Sequence, residues 1–248
     1  MSYVQVSRRG SALWARLDRP ERANALGPEI VAGLTRWLAD GAADPAVRTL
    51  VVTGTGRAFC PGADVRASAA LRDADSRLAF LESGRDLMAA IEESPLPVIA
   101  AVNGAAFAGG LELVLACDLV IASQDAVFGD LHLPHGRIPA WGGSARLVRA
   151  VGAARATRML LLGERFSAAE MTEFGLVSRT VQGSLLVETV DEAARVLAGY
   201  DRTAVAEMTA LIRSVRRQTP PEALQTEWAH FQRHFTGHGD PGAVTIRR

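Results

Sequence analysis

The chain contains no lysine: all 27 of its basic residues are arginine. Mechanisms that need a lysine Schiff base or a lysine general base are excluded, and any phosphate must be met by arginine or backbone amides. Cysteine is almost as scarce. Cys60 and Cys117 make no disulfide framework, and neither belongs to a Cys-x-x-Cys pair of the kind that holds a metal. Net charge is absent as well, with 27 acidic residues against 27 basic ones, which argues against nucleic acid as a partner. No uninterrupted apolar run approaches the roughly 20 residues of a spanning helix, so no membrane partner is expected. The opening MSYVQVSRRG has no apolar signal region, and the expected location is cytoplasmic. Familiar catalytic signatures are missing too. Gly54-Thr55-Gly56 looks like the start of a dinucleotide loop, but Phe59 stands where its third glycine belongs. There is no Gly-x-Ser-x-Gly elbow, and Cys60 sits beside Pro61 with no histidine near it in sequence.

What is present suits a large core: 248 residues, 48% hydrophobic, with no internal repeat. Val4 to Val6 and Leu13 to Leu17 alternate as a hairpin around Arg9-Gly10, and Ile30, Leu34 and Leu38 mark a helix. Strands are predicted at Leu50–Thr53, Val98–Val102 and Leu119–Ala122, and helices from Gly110, around Ala145–Leu162 and over Ala168–Phe174. This is an alternating α/β layout. Arg66 to Arg85 is charged, alanine-rich and weakly periodic, as in a mobile helix or loop beside a site. From about Asp191 the pattern turns helical, with Leu211 and Val215 and then Leu224, Trp228, Phe231 and Phe235 at helical spacing. The expected organisation is a core over residues 1–190 and a helical packing or oligomerising arm over 191–248.

Leu96 to Val120, LPVIAAVNGAAFAGGLELVLACDLV, carries the most information. Val98 to Val102 is apolar at every position, as in a strand buried on both faces, and Gly109-Gly110 lets backbone approach a ligand closely. A helix starting there directs unpartnered amides and the positive end of its dipole at that ligand, an arrangement that holds an oxyanion. Glu112 lies in that first turn. A carboxylate among Leu111, Leu113, Val114 and Leu115 is costly to bury, which makes it a candidate catalytic group.

In four blocks the chain resembles the enoyl-CoA hydratase/isomerase family, the crotonase fold, over nearly its whole length. They are LDRPERANAL (Leu17 to Leu26), VVTGTGRAFCPGADV (Val51 to Val65), the stretch just described, and FGDLHLPHGRIPAWGGSARL (Phe128 to Leu147). The resemblance implies an α/β spiral of ββα repeats, a helical C-terminal oligomerisation region that builds trimers or dimers of trimers, and an acyl-CoA thioester substrate. Coenzyme A enters as part of that substrate, and neither a further cofactor nor a metal is expected. The shared chemistry of the family is an enolate held by two backbone amides, which by position are those of Ala63 and Gly109. Small residues there let a thioester lie against the backbone. Coenzyme A is expected near Arg22, Ala23 and Ala25, with Asp64 and Arg66 following the oxyanion alanine.

The chain departs from the family in one place that matters. Hydratases of the family use two glutamates; Glu112 matches one, and His132 stands at the position of the other. Imidazole titrates near neutrality, so Glu112 and His132 can divide acid and base roles. Two other readings stay open, a catalytically silent coenzyme A-binding scaffold and a β-diketone C–C hydrolase of the same fold, which also has histidine at the His132 position. That branch carries an acid where Trp141 stands and a histidine where Gly110 stands. Trp141 is expected either to shape the acyl pocket or to fill core space. His230, His234 and His238 recur every four residues, a metal-like spacing only if their helix persists through Gly237, where it is expected to stop.

Overall fold

The structure, a computed structural model, describes residues 3–238. A hairpin opens it: β1 (Val4–Arg9) and β2 (Ala12–Leu17) pair antiparallel, with Gly10 at φ +57° in the turn. The amphipathic α1 (Pro28–Ala43) follows, its Ile30, Val31, Leu34, Trp37 and Leu38 turned inward. The chain then winds through β3 (Thr49–Gly54), β4 (Ala58–Cys60), α2 (Val65–Ala69) and α3 (Ala74–Glu92). A second turn is β5 (Val98–Val102), β6 (Ala105–Phe107) and α4 (Gly109–Ala116). The third comprises β7 (Leu119–Ser123), β8 (Val127–Gly129), α5 (Gly143–Val151) and α6 (Ala153–Leu162). After β9 (Arg165–Ser167), α7 (Ala168–Glu173) and β10 (Arg179–Val181) come three helices: α8 (Leu186–Ala198), α9 (Arg202–Val215) and α10 (Pro220–His238).

Each turn of the spiral gives one strand to each of two sheets. The larger has the order β1-β2-β3-β5-β7-β10, parallel from β2 onward, and the smaller β4-β6-β8-β9. The ββα spiral expected from the resemblance is therefore present. Neighbouring strand residues face opposite ways, so strands with no polar position need cover on both sides. Leu50, Val52, Val98, Ala100, Val102, Val120 and Ala122 enter the main core with α1, α3 and α4. The alternate residues Val51, Ile99, Ala101 and Ile121 join Trp14 and are covered by Leu186, Val190 and Ala194 of α8.

The crossings between sheets are tight and polar. Asn24 donates to the carbonyls of Thr55 and Ala58, and Asn103 accepts from the Gly54 amide and donates to the Gly56 and Ala58 carbonyls. At the β5–β6 crossing a Cβ on Gly104 would lie 2.0 Å from the Arg57 carbonyl oxygen, so only glycine fits.

Arg66 to Arg85 is helical over most of α2 and the first part of α3, one of the two conformations expected there, with Asp64 and Asp73 capping the helices through backbone amides that otherwise lack partners. Two local expectations are corrected. Strand β6 lies between β5 and α4, where a turn was expected. Helix α10 runs through Gly237 to His238; a glycine near a helix end costs only about 1 kcal/mol. His234 meets Glu207 of α9 at 2.6 Å, and among the described residues no group of three metal-ligating side chains comes together. None of the described helices is long and apolar enough to cross a membrane.

Arg213 ties the C-terminal helices to the spiral. Its guanidinium donates to both oxygens of Asp118 at 2.6 and 2.7 Å, while Asp118 also accepts from the Val98 amide at 2.8 Å. Truncation strands a largely buried carboxylate, so Arg213→Ala should lower stability by about 2–3 kcal/mol in urea unfolding. Arg8→Ala, which breaks the exposed pair with Asp44, should cost at most ~0.5 kcal/mol.

Candidate active site

The first amides of α4 and the loop after β4 converge. Leu26 donates to the Gly62 carbonyl at 2.8 Å and accepts from the Asp64 amide at 2.9 Å, which pins Ala63 between them. A Cβ placed on Gly62 would lie 2.8 Å from the Gly109 nitrogen, and one on Gly109 would lie 3.2 Å from the Ala63 nitrogen. Ala63 and Gly109 are thus brought together, and Gly109 begins α4, where amides have no partner inside the helix. The residue before it, Ala108, is held at φ 46°, ψ −119°, a conformation costing about 1–3 kcal/mol in a non-glycine residue. Hydrogen bonds from the Ala108 amide to Gly129 and from the Glu112 amide to the Ala108 carbonyl hold it there.

One turn into α4, Glu112 is 1% exposed. Its Oε1 accepts from the Trp141 amide at 2.8 Å and the Gly143 amide at 2.9 Å, at the start of α5, whose dipole favours negative charge there. Its Oε2 faces His132 Nε2 across 3.7 Å. Burial pushes the Glu112 carboxyl above its ordinary value, although the Gly143 amide, the His132 charge and the Trp141 amide act against the rise. Burial would lower His132, but Asp130 reverses this: its carboxylate lies 3.0 and 3.1 Å from Nδ1, and with Glu112 it holds the imidazole above its ordinary value. Asp130 was not singled out from the sequence. The Asp-x-His spacing was the available signal, since an aspartate reaches the amide two residues ahead, and His132 N–H does donate to Asp130 Oδ1 at 3.1 Å.

Trp141 is buried, donates from Nε1 to the Leu81 carbonyl at 2.8 Å and meets Phe80 edge-on at 6.2 Å. It also lies against Gly109, since a Cβ there would lie 2.6 Å from its ring. It therefore fills core space and borders the site at once. Arg22 and Arg66 are exposed, and Ala23, at φ 51°, and buried Ala25 lie in a loop stitched to the Ala63 segment through Leu26. Asp64 accepts from the Arg66 and Ala67 amides and pairs with Arg19 at 2.6 Å; those backbone bonds and Arg19 draw its carboxyl below its ordinary value despite opposing burial. Arg19 is the second residue that sequence reasoning missed. Cys60 is fully buried and its thiol is pushed up to about 12, which leaves it inert as a nucleophile.

Comparison with known proteins identifies the family. Residues 8–240 match the family described as enoyl-CoA hydratase/isomerase. The chain is 37% identical to a probable enoyl-CoA hydratase of Rhizobium meliloti (strain 1021), covering 95% of this chain and 91% of that one. It is 34% identical to the 2,3-dehydroadipyl-CoA hydratase of Escherichia coli (strain K12), covering 95% and 90%. The crystal structure of enoyl-CoA hydratase from Bacillus anthracis superposes with a TM-score of 0.88 at 33% identity, covering 93% of this chain and 90% of that one.

An acid whose folded-state pKa is raised contributes stability that is full below its ordinary range and lost as pH rises through the folded value. Glu112→Gln removes that loss. Denaturant midpoints measured from pH 4 to 8 should therefore show the variant gaining on the native protein as pH rises.

Proposed function

The chain belongs to the enoyl-CoA hydratase/isomerase family and is an enzyme of that class, and we propose that it adds water to an enoyl-CoA thioester, with Glu112 and His132 moving the protons. The observation that carries this reading is a buried carboxylate facing an imidazole across 3.7 Å, one helical turn from the Gly109 amide. Water's oxygen bonds the β-carbon as electrons move onto the thioester oxygen, where the Ala63 and Gly109 amides stabilise the charge. One member of the pair takes water's proton and the other delivers a proton to the α-carbon, so the pair keeps its proton count. Trp141, against Gly109, borders the acyl group. Arg22 and Arg66 meet the phosphates of coenzyme A, Ala23 and Ala25 flank its nucleotide, and Asp64 orders that loop through Arg19 and α2.

Gly110 bears on the rival C–C hydrolase. A Cβ there would lie 2.1 Å from the Cys60 carbonyl oxygen, so the site has no room for the second histidine of that branch. Residues 1–190 supply the site in this reading and 191–248 the assembly. The apolar stripe of α10 supports a trimer or a pair of trimers: Leu224, Trp228, Phe231 and Phe235 are exposed, and the three aromatics stack at 5.5 and 5.9 Å. The two free, buried cysteines suit a reducing cytoplasm.

Mass spectrometry of enoyl- and 3-hydroxyacyl-CoAs incubated in deuterated water tests the reaction. The native protein should add water, and Glu112→Gln should lower the rate by at least ~10²-fold. Deuterium uptake without hydration would reassign the chemistry to isomerisation, and unchanged turnover by the variant would remove Glu112 from the mechanism. For the assembly, Trp228→Glu should sediment as a monomer where the native chain sediments as a trimer or hexamer.

A further inference from the structure

His132 does not face Glu112 alone. Asp130, just after β8 and itself 1% exposed, holds the other side of the ring. Both of its oxygens lie within 3.1 Å of Nδ1, and one also accepts the His132 backbone amide. A carboxylate cannot donate to Nδ1 while ionised, so the proton of that bond belongs to the imidazole. We propose that Asp130 is a positioning residue that commits neutral His132 to the Nδ1–H tautomer, making Nε2 the base toward water and Glu112 the acid toward the α-carbon. This rests on the hydratase reading above and assigns the two roles it left unassigned.

The division follows from what each atom has left to offer. With Nδ1–H held by Asp130, Nε2 presents a lone pair, and it is the ring atom turned toward Glu112. On Glu112, Oε1 is occupied by two backbone amides, so Oε2 is the oxygen free to carry a proton. Water's oxygen bonds the β-carbon and its proton passes to Nε2, giving an imidazolium paired with Asp130. The α-carbon takes the proton from Glu112 Oε2, leaving a carboxylate. Return of the proton from Nε2 to Oε2 restores both groups, and the net change is one water added to one thioester. Asp130 thus supplies the negative charge needed when His132 becomes positive, as the orienting carboxylate of a catalytic triad does. The charged groups acting on the ring are Asp130 beyond β8, Glu112 on α4 and, opposing them, Arg137 in the turn that follows.

Ring nitrogen signals of the full-length protein labelled with ¹⁵N-histidine test this without substrate, His132 being assigned by its loss in His132→Gln. Neutral His132 should show Nδ1–H, and in Asp130→Asn, which keeps an acceptor for the backbone amide but loses the charge, its titration should move about one pH unit lower. With but-2-enoyl-CoA, the acid limb of kcat/KM should move down by the same amount in that variant, and kcat should fall about tenfold at unchanged KM. An Nε2–H tautomer in the native protein would overturn the proposal, and this outcome needs no variant to fold. A fall in kcat with both the ring titration and the acid limb unmoved would also overturn it, because Asp130 would then only hold the loop. Absence of native turnover strikes the hydratase reading instead, and the ring signals still decide the pairing.

Discussion

A carboxylate removed from water must be answered by dipoles, protons or partner charges, and the active end of this molecule is arranged around that need at Glu112. The entry to α5 is placed so that two backbone amides two residues apart, those of Trp141 and Gly143, converge on one oxygen. A Cβ on Gly143 would come within 3.0 Å of the Glu112 side chain, so the backbone approaches as closely as glycine allows. The other oxygen is left to His132, and His132 is in turn held by Asp130. Three acidic or basic groups, one on α4 and two in the segment after β8, are therefore linked through the imidazole ring.

The spiral makes that convergence possible. Each turn passes from the larger sheet to the smaller through a short polar crossing, so the ends of β4, β6 and β8 come to lie side by side. The Ala63 loop follows β4, the Gly109 amide follows β6, and Asp130 with His132 follows β8. Local conformational cost collects where these ends meet. Ala108 at positive φ and the glycine contacts around Gly62, Gly109 and Gly110 are held by the packed layers on either side.

Much of this was legible in residue order, and the reasons for the remainder are physical. The β5–α4 unit could be read because an unbroken apolar run followed by Gly-Gly has few other stable uses, and Glu112 stood out as the one acid inside it. The three-residue strands of the smaller sheet could not be read, since three residues are too few to display a period of two and their pairing partners lie far along the chain. Asp130 and Arg19 escaped for a related reason: aspartate and arginine are common on surfaces, and although the Asp-x-His spacing permits a local bond to the backbone, nothing local shows which distant side chain either residue meets. Helix and loop could not be told apart over 66–85 because its own periodicity is weak; two aspartate caps and the packing of α3 against α1 and α4 set the helices.

What the residue order determined alone is what depends on composition and near neighbours: arginine as the sole cation, strands needing cover on both faces, a glycine-marked helix start with an acid one turn on, and the four blocks that carry the family resemblance. What only the tertiary structure decided is which distant groups share a proton or a charge. That Glu112 faces His132, that Asp130 holds the ring, and that Arg213 docks the last helices on Asp118 all depend on backbone separations of a few ångströms. Electrostatic coupling and hydrogen bonding vary steeply over such distances, and they are set by the packing of whole layers, which no local pattern encodes.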